Sequence, residues 1–121
     1  MPPSVQLVDA VLDAVASGLL LAGDRLPSVR NAAVQALVNP NTVAKAWKEL
    51  ERLGVVVARN GSGVYVRAQG GGEAQELRRS ATLTAFDRAA VEALRAGHGE
   101  RELLDRLRGL VAEAQPAGGE R

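Results

Sequence analysis

The chain lacks the side chains on which several classes of protein depend. Among its 121 residues there is no cysteine and one histidine, His98, which excludes a disulfide framework, a thiolate metal site and a histidine-rich metal site. Aromatic residues make up 2% of the sequence. The core must therefore be aliphatic, and the aromatic platforms that bind single-stranded nucleic acid are absent.

Long apolar runs and catalytic groupings are missing as well. No stretch approaches the ~20 apolar residues of a membrane span, and no basic-then-apolar leader opens the sequence. There is no nucleophile–base pair, and Gly61–Gly63 is too short and too close to strands to be a nucleotide-binding loop. We therefore expect a soluble cytoplasmic protein that needs no metal or cofactor, makes no membrane contact and is not an enzyme.

Positive charge is concentrated in one segment. The whole chain has a net charge of +1, but residues 25–68 contain seven Lys or Arg and only two acids, which makes +5. Such a concentration is typical of a surface that contacts phosphates, although without a motif it can equally be a solvated face.

Two helices are predicted in the first third of the chain. An apolar stripe at helical spacing predicts a helix over Val5–Ala16, with Ser4 as its N-cap. Ser28 is a good N-cap for a second, short and Ala-rich helix over Val29–Ala36.

A third helix and a hairpin follow closely. Asn39 is an N-cap residue, and Pro40–Leu53 begins with a proline at the first helical position, where its missing N–H costs nothing. Val55–Arg59 and Val64–Arg67 are β-branched runs around the glycine-containing turn Asn60–Gly63. Helix, turn, helix and hairpin is the order of a winged helix-turn-helix, which places its second helix in the DNA major groove.

The rest of the chain predicts a helical tail. Gly70–Gly72 indicates a flexible break and a domain boundary, and helices are predicted over about Glu73–Ala96 and Glu100–Ala114. Their apolar stripes are too small to fold alone and need the winged domain or a second copy of the chain. The predicted fold is thus mainly α with a small β-hairpin wing: a winged helix-turn-helix domain over residues 1–69, a two-helix dimerisation tail over 70–114 and a disordered terminus over 115–121. The predicted dimerisation residues are Leu83, Phe86, Ala90, Leu94, Leu103, Leu104, Leu107 and Val111.

Four short motifs together carry a family resemblance. They are Gly23–Arg30 (GDRLPSVR), Val38–Val43 (VNPNTV), Glu49–Gly54 (ELERLG) and, in the wing, Gly61–Val66 (GSGVYV). In combination they resemble the DNA-binding domain of the GntR family of bacterial transcription regulators, over roughly half of the chain. The NPNTV start of the third helix and the short tail look most like the YtrA-type subfamily. That resemblance implies homodimerisation, no large effector-binding domain and target genes that encode membrane transporters.

The resemblance also implies which residues contact DNA. It places Arg30 on the DNA backbone or a base edge, and Asn41 and Thr42 in the major groove, where Asn can pair with adenine and Thr suits a phosphate or a thymine methyl. Lysines on the third helix suit phosphates, and the wing tip reaches the minor groove. Each position also has a plainer interpretation: helix capping, a solvated face or an ordinary hairpin turn. The predicted DNA-binding residues are Arg30, Asn39, Asn41, Thr42, Lys45, Lys48, Arg59, Asn60, Gly61 and Ser62.

Several positions depart from the family pattern. Pro40 and Ala44 stand where many members have basic residues, which shifts base recognition onto Arg30, Asn41 and Thr42. Leu37 occupies a turn position that commonly holds glycine or a long polar residue, and Ala32 and Ala36 stand where the larger leucine is common.

Two functional hypotheses remain open from the residues. The first is a homodimeric, sequence-specific regulator of transcription, a repressor, on a palindromic operator in double-stranded DNA. The alternative is a winged-helix protein–protein interaction module that does not bind DNA. No residue pattern identifies an effector ligand, so its identity stays unknown.

Overall fold

Three helices form the first part of the chain in the computed structural model, which describes residues 1–115. They are α1 (Pro3–Ala16), α2 (Val29–Ala36) and α3 (Pro40–Arg52). The predicted cap of α1 is wrong: Pro2 is the N-cap, and Ser4 lies inside the helix because Pro3 takes the first position, where a proline is tolerated.

The predicted caps of the next two helices are confirmed. Ser28 Oγ accepts a hydrogen bond of 3.0 Å from the backbone N–H of Asn31. Asn39 Oδ1 accepts one of 2.7 Å from the N–H of Asn41. Because these bonds are local, the sequence alone locates the start of both helices.

The turn between α2 and α3 is made by an unusual residue. Leu37 ends α2 in the left-handed conformation, with φ 57°, and it is 90% exposed. A side chain in this region is sterically disfavoured, which is why glycine is common at such positions. The departure from the family pattern thus leaves the turn geometry intact at a cost in strain.

An aliphatic core joins the helices to the wing. α1 and α2 both pack against α3, and α3 also contacts the first strand of the wing. One tryptophan, Trp47, lies among small apolar side chains, as the low aromatic content predicts. The other buried hydrophobic residues are Val8, Leu12, Val15, Leu26, Ala32, Ala33, Val43, Ala46, Leu50, Val55, Val56, Val66 and Ala74.

The wing is an antiparallel hairpin of β1 (Val56–Arg59) and β2 (Gly63–Val66). Arg59 pairs with Gly63 at the tip, and Gly61 turns the chain with φ 72°. The segment before α2 adds a further pairing that the sequence did not predict, because Arg25 forms an antiparallel bridge to Tyr65.

The tail consists of α4 (Gly70–Arg95) and α5 (Glu100–Ala114). The prediction that Gly70–Gly72 is a flexible break is wrong: these glycines form the first turn of α4. Gly70 is buried, and a Cβ there would lie 2.6 Å from the carbonyl oxygen of Val55. Close approach to the wing, rather than flexibility, explains this glycine.

The start of α4 belongs to the winged part of the chain. Arg78 Nε lies 2.6 Å from an Asp13 carboxylate oxygen, and Gln75 Nε2 donates a hydrogen bond of 3.2 Å to the carbonyl of Ala16. By its contacts the chain divides into one unit over Met1–Thr82 and another from Leu83 onward. The proposed domain boundary between residues 69 and 70 remains a prediction. The predicted disordered terminus falls almost wholly on residues 116–121, outside the described part of the chain.

Candidate nucleic-acid interface

The third helix has one buried face and one exposed polar face. Val43, Ala46 and Leu50 are fully buried against α1, α2 and the wing. Lys45 and Lys48 are exposed on the other side. The 3.6-residue period of the helix therefore separates its core side chains from its cations.

Trp47 belongs to the core, as the sequence predicts. Its side chain is 7% exposed, and its indole Nε1 donates a hydrogen bond of 3.1 Å to the carbonyl of Pro27. This bond ties α3 to the segment immediately before α2. Trp47 therefore fixes the angle of the helix-turn-helix and has no free group for a base contact.

The first turn of α3 presents a short polar surface. Asn41 is exposed and Thr42 is half-buried. The side-chain oxygen Oδ1 of Asn39 accepts the capping hydrogen bond, and its side-chain amide nitrogen stays available as a donor. Pro40, also exposed, leaves this turn without a basic side chain.

The N-terminal end of α2 contributes one cation. Arg30 is the second residue of this helix and is exposed. Because α2 and the first turn of α3 both pack into the same core, Arg30 and Asn41 belong to one rigid helix-turn-helix.

The wing tip is exposed and braced from within. Arg59, Asn60, Gly61 and Ser62 are all accessible to solvent. The phenol of Tyr65 donates a hydrogen bond of 3.2 Å to the carbonyl of Ser62. This bond ties the turn to β2 without using the side chains predicted to face DNA.

Ion pairing separates one cation of α3 from the others. Arg52 forms a bidentate pair with Glu49, with Nε 2.9 Å from Oε1. The hydrogen bond from Arg52 lowers the pKa of the Glu49 carboxyl below its ordinary value and raises that of the guanidinium, so both stay charged and offset each other. Arg30, Lys45, Lys48 and Arg59 form no salt bridge with any residue in 1–115.

The sequence missed one arginine of this surface. Arg25 is exposed, and its guanidinium lies against Gly63 of the wing. Its position in the loop before α2 gave no local signal, since the contact joins residues 38 positions apart in the chain. The other predicted DNA-binding residues remain predictions about contact with a ligand.

The second unit carries an apolar surface of its own. α5 has no buried residue, and a groove of about 510 Å³ runs between α5 and the end of α4. Phe86 and Leu94 are 51% and 52% exposed. Of the residues predicted for dimerisation, Leu83 and Val111 are exposed outside the groove, and the groove itself is lined by Phe86, Ala90, Leu94, Leu103, Leu104 and Leu107.

Other kinds of site find no support over residues 1–115. No group of three or more His, Cys, Asp or Glu side chains in this range could hold a metal ion. No helix in the same range is long and apolar enough to cross a membrane.

Known proteins share this architecture. Residues 3–66 match the profile of the family described as "Bacterial regulatory proteins, gntR family". The chain is 43% identical over 65 residues to the uncharacterized HTH-type transcriptional regulator YhcF of Bacillus subtilis, covering 54% of either protein. It is 43% identical over 61 residues to the HTH-type transcriptional repressor YtrA of the same species, covering 50% of this chain and 47% of that protein.

The matches with these relatives span only about half of their length. A crystal structure of a transcriptional regulator from Oenococcus oeni extends the likeness to the tail: it superposes with a TM-score of 0.75 at 32% identity, covering 92% of both chains. This agreement confirms the predicted fold class of a winged helix-turn-helix followed by a helical tail.

Proposed function

The chain belongs to the GntR family of bacterial regulatory proteins and is of the YtrA type, and from this premise we propose that it binds double-stranded DNA as a homodimeric transcription repressor. The observation that carries the proposal is the exposed face of α3, where Lys45 and Lys48 have no ion-pair partner within residues 1–115. The unpaired lysines suit contacts with backbone phosphates, and the exposed Asn41 beside them suits a base edge in the groove between the two strands.

The proposed roles follow from where each residue lies. The first turn of α3 enters the major groove, with Asn41 reading a base edge and Thr42 contacting a phosphate or a thymine methyl. Lys45 and Lys48 contact phosphates and set the register of the helix without reading sequence. The accessible wing tip, Asn60–Ser62, approaches the minor groove, where a glycine allows the backbone to come close.

Homodimerisation is supported by the apolar groove between α4 and α5. Leucine and phenylalanine side chains that are about half exposed in a single chain gain free energy when a second copy covers them, at about 25 cal/mol per Å² of buried apolar surface. A two-fold dimer presents two α3 helices, so the operator is a palindrome whose half-sites are about one helical turn apart. By likeness to the repressor YtrA, repression is the proposed outcome. Transporter genes are the proposed targets because the short tail and the start of α3 resemble the YtrA-type subfamily.

Selection of bound sequences from a pool of random duplexes tests the whole proposal. We expect the full-length chain to enrich an inverted repeat, with half-site centres ~10 bp apart. With about 6–10 phosphate contacts per dimer, log K should fall with log salt with a slope of about −5 to −9. Failure to bind any duplex at low salt would favour the protein-interaction alternative.

Three variants and one control test the proposed site. Arg30→Ala and Lys45→Ala should weaken binding, and Asn41→Ala should relax base preference by about 1–3 kcal/mol. Arg79→Ala is the control, since Arg79 is an exposed arginine beside Asp13, on the α1 side of α4. Wild-type affinity and specificity in all three variants would contradict the assigned roles.

The dimer is tested by sedimentation of the full-length chain. Leu107→Asp places a charge in the groove and should yield a monomer, whereas Arg101→Ala, on the exposed polar side of α5, should not change the mass. A wild-type chain that sediments as a monomer with bound operator would contradict the homodimer.

A further inference from the structure

The segment before α2 is hydrogen-bonded to the free edge of β2 around a single bridged pair, Arg25 and Tyr65. The N–H of Leu26 donates to the carbonyl of Val64 and that of Val66 to the carbonyl of Asp24, both at 2.8 Å. Arg25 therefore faces Tyr65 as a non-hydrogen-bonded antiparallel pair, the arrangement in which side chains approach most closely. Paired residues point to the same face of a sheet, so Arg25 and Tyr65 share one face.

Arg59, on β1, lies on that same face, on the other side of β2 from Arg25. It pairs with Gly63, which is two residues before Tyr65 on β2, and residues two apart in a strand share a face. The Arg59 guanidinium carbon lies 4.8 Å from the centre of the Tyr65 ring. The two arginines thus flank one short strand.

The guanidinium of Arg25 lies over Gly63. A Cβ on Gly63 would be 2.6 Å from Arg25 Nε and 3.2 Å from Nη2, so a side chain there would displace the arginine. The Arg25 guanidinium thus lies over Gly63, which pairs with Arg59. The Arg59 guanidinium lies over Tyr65, which pairs with Arg25. Both guanidinium groups therefore lie on one face of β2, over residues that are two apart in the strand.

No carboxylate neutralises this pair within the described part of the chain. Neither Arg25 nor Arg59 is in a salt bridge with any of residues 1–115, and both are exposed. Asp24, the adjacent acid in sequence, alternates to the other face of the strand, and its carboxylate accepts the N–H of Leu21 at 2.8 Å. Two like charges on one face of the wing without a counterion favour the binding of an anion on that face.

We propose that Arg25 and Arg59 together bind one phosphate of the DNA backbone beside the wing. This inference rests on the proposed DNA binding and adds Arg25 to the residues that carry it. Guanidinium groups suit phosphate oxygens because their N–H donors form planar, bidentate hydrogen bonds. A phosphate contact positions the wing and carries no sequence information.

Anisotropy titrations of the full-length chain test the proposal with the selected operator and a scrambled duplex over a salt series. Arg25→Gln removes the charge but keeps a stem over Gly63, Arg25→Lys keeps the charge, and Arg79→Ala is the control. We expect Arg25→Gln to weaken both duplexes by the same factor, about fivefold to tenfold at 0.1 M salt, and to reduce the salt slope by about one per subunit contact. Arg25→Lys should restore the slope.

A double-mutant cycle tests whether the two arginines share one phosphate. If they do, combining Arg25→Gln with Arg59→Gln should weaken binding by less than the product of the single effects. Thermal melts of each variant check that the protein stays folded. If Arg25→Gln melts at a lower temperature than the wild type, the salt slope and affinity of Arg25→Lys are compared with the wild type instead.

The possible outcomes separate this inference from the proposed function. If the wild-type chain binds DNA and Arg25→Gln binds with the same affinity and salt slope, the role of Arg25 is overturned and the proposed DNA binding is not. A loss confined to the selected operator overturns the phosphate assignment in favour of a base contact. A wild-type chain that binds neither duplex overturns the proposed function itself.

Discussion

Gly70 is the residue whose replacement tests most directly how the start of α4 packs against the wing. It is the first residue of α4, and its backbone N–H donates to the carbonyl of Arg67 at 2.9 Å. A Cβ on Gly70 would lie 2.6 Å from the carbonyl oxygen of Val55 and 3.1 Å from Cγ1 of Val66. That carbonyl already accepts the N–H of Arg67 at 2.9 Å, so it has little freedom to retreat.

Gly70→Ala should therefore destabilise the protein. Forcing a methyl group into a packed interior costs about 1–3 kcal/mol, which outweighs the gain of alanine in a helix. Gly72→Ala is the matched control, because it lies in the same helical turn with no atom within 4 Å of the new Cβ. There the better helix propensity of alanine should stabilise by up to about 1 kcal/mol.

Thermal and urea unfolding followed by circular dichroism measures both variants. One kcal/mol corresponds to about 4–8 °C in the melting temperature of a domain of this size. We expect Gly70→Ala to melt below the wild type and Gly72→Ala at or above it. Equal or higher stability in Gly70→Ala would refute the close approach of α4 to the wing.

Three further substitutions test single features of the fold. Leu37→Gly should raise the free energy of unfolding in urea by up to about 1 kcal/mol, because it relieves a left-handed leucine whose side chain is exposed; a lower free energy of unfolding would contradict the strain. Trp47→Phe should lower the stability by about 1–3 kcal/mol, since it removes the hydrogen bond to Pro27 and leaves a gap in the core, and an unchanged melting curve would argue against that bond. Asn39→Ala should cost about 1 kcal/mol and Asn39→Asp should restore it, as measured by the same melts, whereas equal losses in both would speak against the cap.

Much of the helix-turn-helix could be predicted because its signals are local. Ser28 and Asn39 cap the helices through hydrogen bonds that span two or three residues. The stripe on α3 is read from helical spacing alone, and it places Trp47 in the core and Lys45 on the surface. The predicted bounds of α2 and α5 agree with the structure for the same reason.

The predicted surface residues could be assigned to elements but not to a ligand. Arg30 and Asn41 are exposed where the pattern puts them, yet exposure alone does not distinguish a DNA contact from a solvated side chain. The ion pair between Arg52 and Glu49 shows the difference that geometry makes. The sequence gives the net charge of the segment, whereas the structure shows which of its cations Glu49 neutralises.

The start of α4 and the bridge between Arg25 and the wing could not be predicted. Three consecutive glycines indicate flexibility when only neighbours are considered, but Gly70 is helical because it packs on Val55. Arg25 joins the wing through backbone bonds to residues about forty positions away. Neither contact produces a periodic pattern of residues from which it could be predicted.

The sequence by itself determined the order of elements, the helix caps, the buried stripe of α3 and the family likeness, since each depends on residues close together in the chain. The tertiary structure alone decided that α4 begins against the wing, that Leu37 is left-handed and that Arg25 lies over Gly63 beside Arg59. These features depend on close approach between distant segments, where one methyl group or one carbonyl oxygen determines what fits.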